Sequence, residues 1–201
     1  MRNTFNISCV GAARSKFVVP ANWQVARVLA ASIAFGLTAA SSWAQCTGFN
    51  ISQSSGVAIV PGTTDIGNHC DDCMTALTLP FPVTLYGVAY SSCNVSSNGN
   101  IQFVTSDANY GNECLPNGSL GIAICPQWDD LMTDGAGEGI FTSVSGVAPN
   151  RIFNVEWRGR YYSGGGSVNF EARLFEDSSR VEFIYGALGE NGANATVGVQ
   201  H

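Results

Sequence analysis

Two groups of residues in this chain have the types and spacing to do chemistry. The first is Asp129-Asp130, set between Trp128 and Leu131 and followed by Asp134 in the glycine-rich run Thr133–Gly139. Glycoside hydrolysis uses two carboxylates about 5–10 Å apart across one bond. Neighbours on a strand project to opposite faces, so this pair does not converge on one substrate without a bulge or turn. With carbonyls of the glycine-rich loop, Asp129, Asp130 and Asp134 could instead surround Ca²⁺, which takes about 6–8 oxygens. The run lacks the spaced acids of a known calcium loop, and the plain alternative is that Trp128 and Leu131 pack while the aspartates accept loop N–H bonds. Asp65, Asp71 and Asp72 form a second, sparser acidic group.

The other spacing is Cys70-Asp-Asp-Cys73. Two cysteines so placed can be a redox pair, half a zinc site, or a disulfide. A redox pair normally opens a helix after a strand, yet Gly67-Asn68-His69 precedes this one and no helical periodicity follows. Zinc wants further thiolate or imidazole ligands, and nearby there is only His69. Structural disulfides are the better reading for the six cysteines beyond residue 44, namely Cys46, Cys70, Cys73, Cys93, Cys114 and Cys125. Cys114–Cys125, which would close the loop before Trp128, is the first pair expected and Cys70–Cys73 the second. No free thiol is expected in 45–201.

Catalysis finds little else to work with. Beyond residue 44 the histidines are His69 and His201, and no Gly-x-Ser-x-Gly elbow is present. A Cys–His nucleophile would need a free thiol, which an oxidising compartment opposes. An enzyme is therefore not expected. Trp128, Trp157, Tyr161 and Tyr162 could form an aromatic platform for sugar, but Trp157 is in phase with Phe153 and Val155 and reads as core. Tyr161-Tyr162 precedes Ser163–Gly166, and at least one of the two should be exposed. That pair is the ligand-binding candidate of a lectin-like alternative.

The elements that must position these residues are strands. No amphipathic helix follows residue 44; short apolar runs are separated by Gly, Ser, Asn and Thr, the texture of an all-β sandwich or barrel. Val57–Val60, Ala76–Leu79, Val83–Tyr86, Leu120–Ile124, Ile140–Val144 and Thr196–Gln200 read as strands. Pro80 and Pro82 mark an edge or a crossing between sheets. Cys93–Phe103 reads as a hairpin on a type I′ turn at Asn98-Gly99. Alternation is strongest in Arg151–Tyr161, Phe170–Glu176 and Arg180–Tyr185. There Phe153, Val155, Trp157, Phe170, Ala172, Leu174, Val181, Phe183 and Tyr185 point inward, and Asn154, Glu156, Arg158, Glu171, Arg173, Arg180 and Glu182 point outward. Loops 105–119, 133–139 and 162–167 are the expected contact region.

Compartment is read from the start of the chain. Residues 28–40, VLAASIAFGLTAA, form an apolar core of secretory length behind Arg2, Arg14, Lys16 and Arg27, and Ser42-Trp43-Ala44 is a small-x-small cleavage site. Thirteen uncharged residues fall short of the roughly 20 needed to span a bilayer. Cleavage after Ala44 divides the chain into a signal peptide, 1–44, and one domain, 45–201, with a strand and cysteine-rich lead-in at 45–75 and a β-sandwich core at 76–201. The mature part has no lysine, five arginines and all fifteen acids, a formal charge of −10. Such a surface repels phosphate backbones and anionic lipids and attracts divalent cations or basic partners.

An ordered series of short motifs runs through the strands: Leu79-Pro-Phe-Pro82, Tyr86-Gly87, Val95-Ser-Ser-Asn-Gly99 with Phe103, Trp128-Asp-Asp-Leu131, Pro149-Asn-Arg-x-Phe153-x-Val-Glu-Trp157, Phe170-x-x-x-Leu-x-Glu176, Phe183-x-Tyr185-Gly186 and Ala195-Thr-Val-Gly-Val-Gln200. The series resembles a β-sandwich module of secreted bacterial proteins that is similar to the extracellular nidogen-type (NIDO) domain. It covers 76–200, with the stretch from Val57. The resemblance implies a non-catalytic extracellular module, often joined to other domains or sorting tails, with no catalytic residues to carry over. The expectation is thus an all-β, antiparallel, jelly-roll-like sandwich, disulfide-stabilised, secreted or held at the cell surface. It would act in adhesion or matrix recognition of an extracellular protein or glycan. No cofactor other than calcium, no nucleic acid and no membrane span in the mature chain are expected.

Overall fold

The computed structural model describes residues 3–9, by their backbone, and residues 49–201. The apolar signal core, its cleavage site and Cys46 lie outside the described residues. The described elements are all strands, paired antiparallel in two sheets. Among the described residues no helix is long and apolar enough to cross a membrane.

One sheet is built on a meander of β9 (Gly139–Ser145), β10 (Ile152–Tyr161), β11 (Ser167–Phe175) and β12 (Val181–Leu188). β3 (Thr64–Asp65) extends it beyond β9, β8 (Leu131–Met132) pairs with the end of β10, and β1 (Asn3–Cys9) and β2 (Phe49–Ser55) follow β12. The second sheet runs β4 (Met74–Leu85), β5 (Val88–Ser96), β6 (Ile101–Gln102), β7 (Ala123–Trp128) and β13 (Thr196–Gln200). β4 to β7 wind as a meander in one sheet and β9 to β12 in the other, with changes of sheet between β3 and β4, β7 and β8, and β12 and β13, so the winding is two stacked meanders and not the jelly roll expected. The connections at Tyr86-Gly87, Ser97–Gly99 and Tyr162–Gly166 are too short to carry the chain to the opposite layer. Asn3–Cys9, assigned by its position to the signal segment, is nonetheless paired as β1 between β12 and β2.

Alternation along the chain located the core. Phe153, Val155, Trp157, Phe170, Ala172, Leu174, Val181, Phe183 and Tyr185 all lie between the sheets with Leu79, Phe81, Val95 and Ile101. Trp157 stacks on Phe170 at 4.8 Å, and its indole N–H donates to the Ser96 carbonyl of the opposite sheet at 2.9 Å. The prolines fall within a single strand, β4, whose register shifts between Thr78 and Val83. β4 is an edge strand, so a proline there removes no ladder bond on its open side.

The outward set departs from expectation. Asn154, Glu156, Glu171 and Glu182 are buried, Glu171 completely. Residues 57–63, expected to begin with a strand, form instead a strap across the outer face of β9–β12. The Val60 N–H donates to Glu171 Oε2 at 3.0 Å and the Gly62 N–H to Glu156 Oε2 at 2.8 Å. Arg173 and Arg158 donate in return to the carbonyls of Ala58 and Gly62, at 2.7 and 3.0 Å. Gly62 lies so close to β9 that a Cβ there would sit 2.5 Å from that of Phe141. A period of two places side chains on a face but does not say whether that face meets water. Burial pushes Glu156 up, yet the Arg158 guanidinium, the Gly62 N–H and the Asn169 amide outweigh it and hold the carboxyl below its ordinary value. For Glu171 burial prevails over Arg173, and its pKa is raised.

The cysteines also depart from expectation. Cys70 and Cys73 form a disulfide, but Cys93, Cys114 and Cys125 are free thiols. Cys93 points into the main core from β5, while Cys125 lies in a separate cluster with Leu120, Ala123 and Trp128. The loop residue that packs on that cluster is Leu115, which leaves its neighbour Cys114 exposed. Burial pushes both the Cys93 and the Cys125 thiol up to about 12.

Two outcomes follow. Of Cys93, Cys114 and Cys125, an alkylating reagent should label Cys114 in the native protein and the other two only after denaturation, read by peptide mass mapping. Glu156→Ala should destabilise the domain by about 3 kcal/mol in urea titration, since it orphans Arg158 and the Gly62 amide. The loss should shrink in acid: a carboxyl with a depressed folded pKa contributes fully above the ordinary glutamate range and loses that contribution as pH falls through it.

Candidate functional site

The β5–β6 hairpin is present, but its turn differs from the one expected. Asn98 is not at positive φ; Gly99 alone is, at +72°. The Gly99 N–H donates to the Ser96 carbonyl and the Ser96 N–H to the Asn100 carbonyl, a three-residue loop closed by a left-handed glycine. A Cβ on Gly99 would lie 2.0 Å from the Gln127 carbonyl oxygen, so the hairpin tip rests directly on β7. This turn buries Asn98 completely. Its amide donates to Asp72 Oδ1 at 2.8 Å and to the Ala108 carbonyl at 2.9 Å, and its Oδ1 accepts the Leu131 N–H at 2.9 Å. One side chain thus fastens the Cys70–Cys73 turn, the 105–119 loop and the β7–β8 turn to one another.

These three segments, with the β10–β11 turn, enclose a cavity of about 280 Å³ lined by Asp71, Asp72, Tyr110, Asp130 and Tyr162. The disulfide closes the turn that bears Asp71 and Asp72. That turn is held on one side by Thr133, whose N–H donates to the Cys70 carbonyl at 3.0 Å, and on the other by Ser97, whose N–H donates to the Cys73 carbonyl at 2.9 Å. Asp72 takes the left-handed conformation, φ 49°, which aspartate tolerates better than most residues. The Tyr162 N–H donates to the Asp130 carbonyl at 3.0 Å. Ligand oxygens of Asp71, Asp72 and Asp130 can all lie within 4.8 Å of one another.

The electrostatics are unbalanced. Asp71 is raised above the ordinary aspartate value by burial and by the charges of Asp72 and Asp134, which outweigh the opposing charge of Arg160, and Asp130 is raised by burial and by Asp72, Asp71 and Asp129. The five arginines of residues 45–201 are engaged elsewhere: Arg151 with Glu176, Arg158 with Glu156, Arg160 with Asp134 and Glu138, Arg173 with Glu171 and Glu182, Arg180 with Glu182. Among the described residues no ion pair reaches the three carboxylates. A cation placed between them would relieve the repulsion.

The expected group Asp129, Asp130 and Asp134 is not brought together. Asp130 enters the cavity, but Asp134 pairs with Arg160 at 2.6 Å. Asp129 is buried, its Oδ1 accepting the Asp130 N–H and its Oδ2 without a hydrogen-bond partner. Asp65 is taken up by His69 at 2.8 Å, which raises the imidazole pKa. Tyr162 is 60% exposed at the cavity while Tyr161 is buried with its hydroxyl toward Gln127. Trp128 and Trp157 are both core. Sequence reasoning missed Tyr110, in a loop without pattern, and the role of Asn98. The 105–119 loop is also less free than expected: the Trp128 indole donates to the Asn109 carbonyl at 3.0 Å, and the loop covers the cluster around that ring.

A disulfide-closed acidic turn, a buried asparagine and exposed tyrosines thus meet at one end of a two-sheet β-structure. The family profile described as NIDO related matches residues 48–201. The chain belongs to the NIDO-related family. This NIDO-related domain contains every cavity residue, and the family is extracellular in type. No curated protein and no solved structure matches the chain significantly.

In the NIDO-related domain the raised pKa values of Asp71 and Asp130 carry a sign. A carboxyl whose folded pKa exceeds its unfolded one costs stability once pH rises through that window, and the cost is full above it. Asp71→Asn and Asp130→Asn should each raise the melting temperature at neutral pH. The gain should vanish below the ordinary aspartate range, where both carboxyls are protonated. Scanning calorimetry across pH reads both; equal melting temperatures at neutral pH would show that the repulsion costs nothing.

Proposed function

We propose that this NIDO-related domain is exported with loss of residues 1–44 and serves, without catalysis, as a recognition module for an extracellular protein in adhesion or matrix attachment. Contact is made through the cavity of Asp71, Asp72 and Asp130. The observation that carries this reading is the convergence of three carboxylates, unpaired with any arginine, beside two exposed tyrosines. Such a group suits Ca²⁺, to which three carboxylates supply up to six oxygens, or the cationic side chain of a partner laid against a tyrosine face. Extracellular calcium sites of this openness bind at about 10⁻⁴–10⁻³ M. The surrounding acidic surface would steer basic partners toward it. His69, engaged by Asp65 at the surface, has no part in the cavity, which supports a binding role over a hydrolytic one.

A second reading, a carbohydrate-binding module, draws on the same two tyrosines, since aromatic faces beside a calcium ion can hold a sugar ring. Calorimetric titration with CaCl₂ decides the cation: heat and a Ca²⁺-dependent rise in melting temperature are expected, both lost in the double variant Asp71→Asn/Asp130→Asn. Absence of both in the unaltered protein removes calcium. Binding to an array of glycans that is lost in Tyr110→Ala or Tyr162→Ala would favour the carbohydrate reading. Binding to immobilised matrix protein lost in the same variants favours the first.

A further inference from the structure

The slot beside β12 is filled by a strand that the family domain does not contain. The family match begins at residue 48, whereas β1 comprises Asn3–Cys9. Thr4, Phe5, Asn6 and Ile7 pair with Ile184, Phe183, Glu182 and Val181. On its other side β1 pairs with β2, Ile7 opposite Ile51 and Asn6 opposite Ser52. The tetrapeptide Phe5-Asn6-Ile7-Ser8 recurs letter for letter in β2 as Phe49-Asn50-Ile51-Ser52. Without β1, the backbone of β12 from Val181 to Ile184 presents an open edge, and β2 loses the strand it pairs with. Open edges template pairing with another chain.

We infer that loss of residues 1–44 opens a strand-exchange edge on β12, and that Phe49–Ser52 of a second copy of this chain fills it. The inference rests on the export reading above, because cleavage is what vacates the slot. Placed where the first copy of the tetrapeptide lies, the incoming strand sets Phe49 opposite Phe183, Asn50 opposite Glu182 and Ile51 opposite Val181. β1 runs antiparallel to both neighbours, so a strand taking its place and direction is antiparallel to the resident β2 as well. The two β2 strands then meet with Ile51 opposite Ile51, and a two-fold axis through that pair returns the resident β2 to the edge of the partner copy. The result is one continuous sheet across an isologous dimer, ordered β12, partner β2, resident β2, partner β12.

The resident β2 cannot fill its own slot in this register. It runs parallel to β12, and reversing it would pull on the strap that Arg173 and Glu171 hold at Ala58 and Val60. The resident strand stays in place through Phe49, whose ring meets Tyr86 edge-on at 5.2 Å. Ile51, 70% exposed, is available at the centre of the new pairing.

The test uses protein recovered outside the cells, characterised by N-terminal sequencing and sedimentation equilibrium. The expected result is a chain beginning at Gln45 that sediments as a dimer. Ile51→Pro, which removes an amide from the central pair and touches no core residue, should give a monomer with an unchanged circular dichroism spectrum. An excess of the peptide Asn3–Cys9, with Cys9→Ser, should convert the dimer to monomers. A monomer beginning at Gln45, a dimer indifferent to both perturbations, or a monomer carrying a foreign peptide overturns the inference. A chain that retains residues 3–9 overturns the export reading instead, since β1 then still fills the β12 edge.

Discussion

The amide of Asn98 is the interaction on which the candidate site depends. It is wholly buried, and its two N–H bonds and its carbonyl are spent on three different segments of chain. A buried amide left unmatched costs far more than one matched bond returns, so the three segments are held as a set. Gly99 is a condition of that arrangement, because the hairpin tip can settle on β7 only where no Cβ intervenes. The acidic turn, the Tyr110 loop and the Asp130 turn are thereby placed around one cavity by a residue that does not line it.

Charge is distributed with the same economy of partners. The five arginines of residues 45–201 lie on or beside β10, β11 and β12; four are matched to glutamates there, and Arg160 to Asp134 and Glu138 of the 133–139 loop. On the outer face of that sheet they allow glutamates to be buried beneath the strap, where an unpaired carboxylate would be costly. At the end of the molecule that carries Asp71, Asp72 and Asp130 only Arg160 comes near, and it is taken up by Asp134 and Glu138 rather than by the three cavity carboxylates. The uneven charge along the chain therefore reappears in space, as a sheet held by ion pairs and an acidic cavity at its end. Carboxylates that repel one another without a compensating ion pair cost the fold stability.

The β12 edge and the cavity draw on different properties of the fold. The cavity is rigid because side-chain bonds and a disulfide fix its rim. The inferred exchange at the edge rests on the tetrapeptide that β1 and β2 carry in common, so what covers β12 depends on which strand is covalently present. A module that recognises a partner at one end and pairs with its own kind along a sheet edge would present its cavities in duplicate.

The sequence by itself determined the class of structure and the residues between the sheets. Alternation in Arg151–Tyr161, Phe170–Glu176 and Arg180–Tyr185 is a local property of the strand, and every apolar residue it assigned inward is in the core. The prolines of β4 and the hairpin at Asn98-Gly99 were legible for the same reason, since backbone sterics act within a few residues. Tertiary structure alone decided which faces are covered. The strap at 57–63 turned the apparently solvated Glu156 and Glu171 into buried hydrogen-bonded carboxylates. It likewise decided that Asp130 joins Asp71 and Asp72, some sixty positions away in the chain, while the neighbouring Asp129 and Asp134 are drawn elsewhere. It left Cys114 and Cys125 apart, because Leu115 rather than Cys114 faces the cluster around Trp128. Convergence of this kind depends on how loops cross after the strands have paired, and no periodicity records it.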